Sequence, residues 1–242
     1  MRSKIAKVGI IGGSGVEELG FTAEFKDKKV KTRYGEVLVK TGLVKEKEVV
    51  FLNRHGWAYT APGQINYLAN LAALKEEGVG CIFATAAVGA LHKKLAPGDL
   101  LLFDDLIDMT RKRVGSYDAR AFIDMSTPYT PFLTEVVKKA AAGIKLKLEP
   151  NIIYVCTEGP RFETRAEIRL YKKFGGDVVG MTQVPEVILA AEISIPYAAI
   201  GVVTNYAAGV TSRRISAHEV LVVMKQRSAE LARLLEAAIR AV

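Results

Sequence analysis

Short apolar runs alternate with stretches of helical periodicity along the whole chain. Val8-Gly9-Ile10-Ile11 reads as a buried strand and ends in Gly12-Gly13-Ser14-Gly15. Residues 35–41 and 49–53 read as two strands joined by a charged turn. Residues 81–86, 100–103, 152–155, 178–180 and 197–203 supply further strands. Between them the spacing predicts helices over 65–77, with Gly78 as its stop, and over 129–142, 164–174, 185–193 and 216–241. Pro185 falls in a first helical turn, where its missing N–H costs nothing. In the final helix Val220, Met224, Leu231, Leu235 and Ile239 lie close to one face. Alternating strands and helices without a low-complexity linker predict one α/β domain over residues 1–242, a central mixed β-sheet flanked by helices. Ligand sites in such folds gather at the carboxyl ends of strands.

Composition narrows the partners. Half of the 242 residues are hydrophobic and a quarter are charged, as in ordinary globular domains. No apolar run approaches the roughly 20 residues that cross a bilayer, so no membrane partner is expected. The opening Met1-Arg2-Ser3-Lys4-Ile5-Ala6 leads directly into strand-like sequence, unlike a secretory leader. Cys81 and Cys156 sit in separate apolar runs and read as buried thiols, which suits a reducing, cytoplasmic setting. The net charge of +8 raises nucleic acid as a partner. The basic residues are interleaved with acidic ones, however, as in Lys45-Glu46-Lys47-Glu48, and no recognition-helix or zinc spacing occurs. Solvated surface charge is the expectation, with no nucleic-acid partner.

The unusual residues fall where strands end. In Gly12-Gly13-Ser14-Gly15, bare backbone N–H groups and the Ser14 hydroxyl suit an anion, although a plain tight turn has the same composition. Arg54 and His55 in Asn53-Arg54-His55-Gly56 suit phosphate, Arg54 through its planar fork and His55 through one N–H; a surface loop is the alternative. Thr85-Ala86-Ala87-Val88-Gly89-Ala90 is small throughout and leaves either room for a ligand or tight packing. In Glu158-Gly159-Pro160-Arg161-Phe162-Glu163-Thr164, Phe162 can stack on a planar ring. Glu163 can accept from a base edge, unless Glu163 and Thr164 serve only as a helix cap. Thr182 precedes a helix start, where hydroxyls cap and anions bind. Asn205 in Thr204-Asn205-Tyr206 ends a long apolar strand.

Taken in order, these segments resemble the trimeric purine nucleoside phosphorylases and the related methylthioadenosine phosphorylases. The resemblance covers nearly the whole chain, from Gly-Gly-Ser-Gly to Thr-Asn-Tyr, and implies that fold and a reversible phosphorolysis of the N-glycosidic bond in purine salvage. It implies that Ser14, Arg54, His55, the backbone at Ala87, and Thr182 hold phosphate. Met181 packs beneath the ribose, Phe162 faces the base, and Glu163 and Asn205 bind its edge. Asn205, His55 and Glu163 are the residues expected to act on the chemistry. No metal or organic cofactor is implied; inorganic phosphate is the co-substrate. The implied assembly is a homotrimer or a homohexamer of two trimers, with Phe122 or Tyr117 of a neighbouring subunit completing the sugar site.

Three positions separate the two branches of that resemblance. Glu163 stands where the methylthioadenosine enzymes usually carry serine, and it accepts the N1–H of hypoxanthine or guanine. Asn205-Tyr206-Ala207 stands where those enzymes carry Asp-x-Asp, so Ala207 offers nothing to a 6-amino group. His218 matches the histidine that holds a 5′-hydroxyl. Inosine and guanosine are therefore the expected substrates. Methylthioadenosine and methylthioinosine are the alternatives, since the short chain and Asn53-Arg54-His55-Gly56 lean towards that branch. A hydrolytic nucleosidase and a non-catalytic nucleotide-binding protein are the more distant ones.

Overall fold

A computed structural model describes residues 5–13, 24–56, 58–112, 116–118 and 122–242. Among these, nine strands form one mixed sheet in the order β2-β3-β4-β1-β5-β8-β7-β6-β9. The strands are β1 Lys7–Gly12, β2 Phe25–Thr32, β3 Gly35–Val44, β4 Lys47–Asn53, β5 Cys81–Ala90, β6 Leu100–Asp108, β7 Glu149–Cys156, β8 Val178–Gly180 and β9 Tyr197–Tyr206. The helices are α1 Tyr67–Glu76, α2 Pro131–Gly143, α3 Arg165–Lys173, α4 Gln183–Glu192 and α5 Ala217–Ala241. This is the expected α/β class with a central mixed sheet and flanking helices.

The sheet has one feature that strand order alone does not convey. β9 pairs with β6 and also, in parallel, with β5, so β5-β8-β7-β6-β9 closes into a ring. Closure removes the free edge that this half of the sheet would otherwise present. Both faces of the central strands are covered, which explains why they read as continuous apolar runs. Alternation along β1 places Ile10 against Leu133, Leu235 and Ile239 of α2 and α5, whereas Ile11 packs with Leu71 and Leu74 of α1. A third, smaller cluster joins α3 to the ring through Ile168, Tyr171, Val155 and Val179.

Several elements differ from the sequence expectation. β2 was not predicted, because Phe25-Lys26-Asp27-Lys28-Lys29-Val30-Lys31-Thr32 lies mostly exposed and carries no apolar alternation. It is held by antiparallel pairing with β3. β5, β6 and β9 each run beyond the predicted strands, and the small-residue segment Thr85 to Ala90 forms the second half of β5. Its register against β9 shifts between Val88 and Gly89. In α4, Val184 is non-helical (φ −102°, ψ 129°), as expected for a residue driven from helical angles by the proline that follows. The regular part of the helix therefore starts at Pro185.

Candidate active site

A cavity of about 590 Å³ opens where β1, β4, β5, β8 and β9 end. Its anion-binding end is built around Arg54, just beyond β4. The guanidinium is 1% exposed and makes a fork with Glu186 of α4, Nε to Oε2 at 2.6 Å and Nη2 to Oε1 at 2.7 Å. Nη1 donates to the Thr85 carbonyl at 2.7 Å. Three of the five N–H donors are thereby used, leaving one each on Nη1 and Nη2 for a ligand. Burial opposes the positive charge, but the Glu186 carboxylate more than offsets it, and Arg54 stays protonated. Glu186 also accepts from the Tyr197 hydroxyl at 2.6 Å. Gly13 is part of the same construction: a Cβ there would lie 2.8 Å from Nη1 of Arg54 and 2.9 Å from the Thr85 oxygen. Only glycine lets the arginine lie so close to the end of β1.

His55 lies beside Arg54, stacked on Tyr59 with ring centroids 4.8 Å apart. Its Nδ1 is 2.8 Å from the Thr60 carbonyl oxygen, which can only accept, so the proton sits on Nδ1. Burial holds the imidazole below its usual range, and Arg54 adds to that effect. In the neutral ring with the proton on Nδ1, Nε2 carries no hydrogen. Thr182 also lines this end, with its backbone N–H donating to the Tyr154 hydroxyl at 3.2 Å. Its side chain makes no cap bond to α4. The non-helical Val184 displaces the helix start and leaves the Thr182 hydroxyl with the cavity instead.

Met181 forms the middle of the wall, packed over Gly159. A Cβ on Gly159, which has φ +64°, would come within 2.6 Å of the Met181 sulfur. At the far end, Phe162 sits on the lip at 37% exposure, and the Glu163 carboxylate is buried beneath it. Glu163 takes no part in the helix cap, which is formed by Thr164 and Glu167 in a reciprocal pair. The Glu163 Oε1 instead accepts from the Thr157 hydroxyl at 2.7 Å. Burial pushes its carboxyl above the ordinary range, and the Thr157 hydroxyl opposes that shift. Asn205 stands at the end of β9, with Oδ1 accepting from Thr204 at 2.9 Å and Nδ2 donating to the Tyr206 carbonyl at 3.1 Å. One amide hydrogen remains for a ligand.

Arg54, His55, Ala87, Phe162, Glu163, Met181, Thr182 and Asn205 thus meet at one cavity. Ser14 lies outside the described residues. Two expected residues do not line the cavity. His218 is exposed on the first turn of α5, where the helix turns Ala217, Val220 and Leu221 to the cavity. Ala207, 3% exposed, packs with Leu91, Val155 and Val179. Sequence reasoning missed Glu186, although it ends the Gln-Val-Pro-Glu segment; an acidic residue in a buried turn was the available signal. It also missed the apolar wall of Val220, which the helical periodicity assigned to packing, and of Leu221, which it left unassigned.

A buried, charge-compensated arginine, a buried carboxylate and an amide with a hydrogen to give share one cavity, a combination suited to a small anion beside a polar-edged planar ring. The phosphorylase superfamily profile matches residues 7–240, and the chain belongs to that family. It is 45% identical to a 6-oxopurine nucleoside phosphorylase from Pyrococcus furiosus, over 96% of this chain and 92% of that one. A probable S-methyl-5′-thioinosine phosphorylase from Methanopyrus kandleri is 41% identical over 96% and 91% of the two chains. Among solved structures, methylthioadenosine phosphorylase from Schistosoma mansoni in complex with adenine superposes with a TM-score of 0.92. It is 29% identical, covering 98% of this chain and 91% of that one.

Proposed function

We propose that this chain is a purine nucleoside phosphorylase, a pentosyltransferase that converts 6-oxopurine nucleosides and phosphate to the free base and ribose 1-phosphate. The observation that carries this reading is the buried Glu163 carboxylate, which lines the same cavity as Asn205 and the buried Arg54. An ionised carboxylate accepts the N1–H of hypoxanthine or guanine, whereas adenine offers only a lone pair at N1. Arg54, Thr182, the Ala87 backbone and Ser14 hold phosphate, and the neutral His55 accepts a hydrogen bond from a protonated phosphate oxygen. A phosphate oxygen then bonds to the anomeric carbon as the bond from that carbon to N9 breaks. The electron pair passes to the purine, which leaves as an anion stabilised by a hydrogen bond that the remaining Asn205 N–H donates to N7 or O6, and which takes up a proton from solvent on release. Holding the nucleophile against the anomeric carbon supplies much of the acceleration. Preorganised donors at the leaving base supply the rest.

A second reading concerns the 5′ position. Ala217, Val220 and Leu221 make an apolar wall from α5, and His218 points elsewhere. This favours an apolar 5′ substituent, as in methylthioinosine, with the same base. For the assembly, Tyr117 is tied to its own chain through its hydroxyl and the Leu68 carbonyl at 2.6 Å, whereas Phe122 is fully exposed. We infer a homotrimer or homohexamer in which Phe122 reaches a neighbouring sugar site. The test of function is a panel of inosine, guanosine, adenosine, methylthioadenosine and methylthioinosine with and without phosphate. Phosphate-dependent hypoxanthine release is expected; release without phosphate would make the protein a hydrolase.

A further inference from the structure

Glu163 stands between two cavities. Its carboxylate lines the large cavity and also an outer one of about 260 Å³, which carries Arg111, Glu158, Arg161, Glu167 and Tyr171. The outer cavity offers two guanidinium groups, the preferred partners of a carboxylate. Arg161 is instead forked onto Glu167, Nη1 to Oε2 at 2.9 Å and Nη2 to Oε1 at 2.7 Å. What holds Glu163 is the hydroxyl of Thr157, 2.7 Å from Oε1. Thr157 is buried immediately after β7, with its backbone N–H donating to the Gly180 carbonyl at 2.8 Å. It lines the outer cavity but not the large one, so it reaches a bound base only through Glu163.

We propose that Thr157 is a positioning residue for base selection: its hydroxyl keeps Glu163 turned into the large cavity as an acceptor for the N1–H edge of a 6-oxopurine. The inference rests on the reading of the site as a 6-oxopurine nucleoside phosphorylase. A hydroxyl has one hydrogen to give, and the nearer acceptor is Glu163 rather than the Gly180 carbonyl at 3.3 Å. That bond occupies Oε1 and leaves Oε2 for the base. It also favours the ionised carboxylate, opposing the burial that would protonate it. Without it, the carboxylate is drawn toward the outer guanidinium groups or takes up a proton. In either state it no longer accepts from N1–H.

The experiment compares wild type, Thr157→Val and Thr157→Ser on inosine and adenosine across pH. Thr157→Val keeps the shape and removes the donor. Its kcat/KM for inosine is expected to fall about 10-fold or more, with the KM for phosphate within about 2-fold. The acid limb of its inosine profile should move up by about one pH unit, because the lost donor stabilised the ionised form. Thr157→Ser keeps the donor and should keep the wild-type limb. Around Glu163 stand Glu158 and Arg161 of its own loop, Glu167 and Tyr171 of α3, and Arg111 from the segment after β6. Arg54 and His55 line the same large cavity. None of these is altered, so a displaced limb reports the hydroxyl. In a Glu163→Gln background, Thr157→Val should add no further change in base preference. An unmoved limb and an unchanged inosine-to-adenosine ratio in Thr157→Val would overturn the proposal, as would equal losses in the valine and serine variants. If Thr157→Val does not fold, Thr157→Cys, a much weaker donor of similar size, carries the same comparison. Wild type inactive on inosine is a different result, and it would refute the function rather than the role of Thr157.

Discussion

Arg54 illustrates how one residue at this site depends on another far away in the chain. Its charge is buried with that of Glu186, and neither side chain reaches solvent. Breaking such a pair by neutralising one partner leaves the other uncompensated, which costs roughly 3–5 kcal/mol. Glu186→Gln is therefore expected to lower unfolding stability by that order in a denaturant titration. It should also raise the KM for phosphate about 10-fold, because the guanidinium is no longer aimed. Glu163 has a different kind of dependence. Its carboxyl is raised by burial, so the ionised acceptor is lost as pH falls through that raised value. Activity on inosine should show an acid limb above the ordinary carboxylate range. Glu163→Ala should remove that limb and lower kcat/KM by about 10²-fold or more, as a profile of rate against pH would reveal. Arg54, His55, Phe162, Glu163 and Asn205 were legible as a set through the resemblance of their motifs, in order, to the nucleoside phosphorylases; taken singly, Arg54 and His55 also read as a surface loop and Glu163 as a helix cap. The tautomer of His55 was not legible, because it is fixed by the Thr60 carbonyl, a contact that exists only once the loop has folded.

At the scale of the element, α5 carries two functions on different faces. Its later turns bury Leu231, Leu235 and Ile239 against the sheet, and its first turns face the cavity. Leu235→Ala should cost about 2–5 kcal/mol in chemical denaturation while leaving the KM for phosphate unchanged. At the other end, Leu221→Ser should depress turnover of methylthioinosine about 10-fold and inosine by less than about 2-fold, whereas His218→Ala should leave both nearly untouched. Equal effects of Leu221→Ser on the two substrates would refute the apolar 5′ subsite. Periodicity revealed the helix and its buried stripe. It gave no means of telling which of the neighbouring positions 217, 218, 220 and 221 faces a cavity, because that rotation is set by packing against β9 and α2. β2 shows the opposite limit: a polar strand stabilised by pairing leaves no hydrophobic trace.

On the scale of the whole molecule, the residues of the site are recruited from positions 13 to 221 of the chain. Their meeting depends on the sheet order, in which β1, β5 and β9 lie side by side although they are far apart in sequence. The α/β class was readable from the alternation of apolar runs and helical stretches, whereas the ends of β5, β6 and β9 were not. The closing of β5 onto β9 was not either, since a strand that pairs on both sides reads like any buried strand. A molar mass by light scattering of three or six chains is the expected assembly, and Phe122→Asp should reduce it to one chain if the exposed ring sits in the interface.

The ring of β5-β8-β7-β6-β9 also bears on how the protein comes apart. Such a ring has no terminal strand to peel away, so the amides of β5 and β9 should open to solvent only in global unfolding. Deuterium uptake should be slowest there, while β2 and the first turns of α5 label early. Loss of catalysis on heating should then follow the same curve as loss of structure. A cooled sample should contain molecules that are either wholly competent or wholly inert.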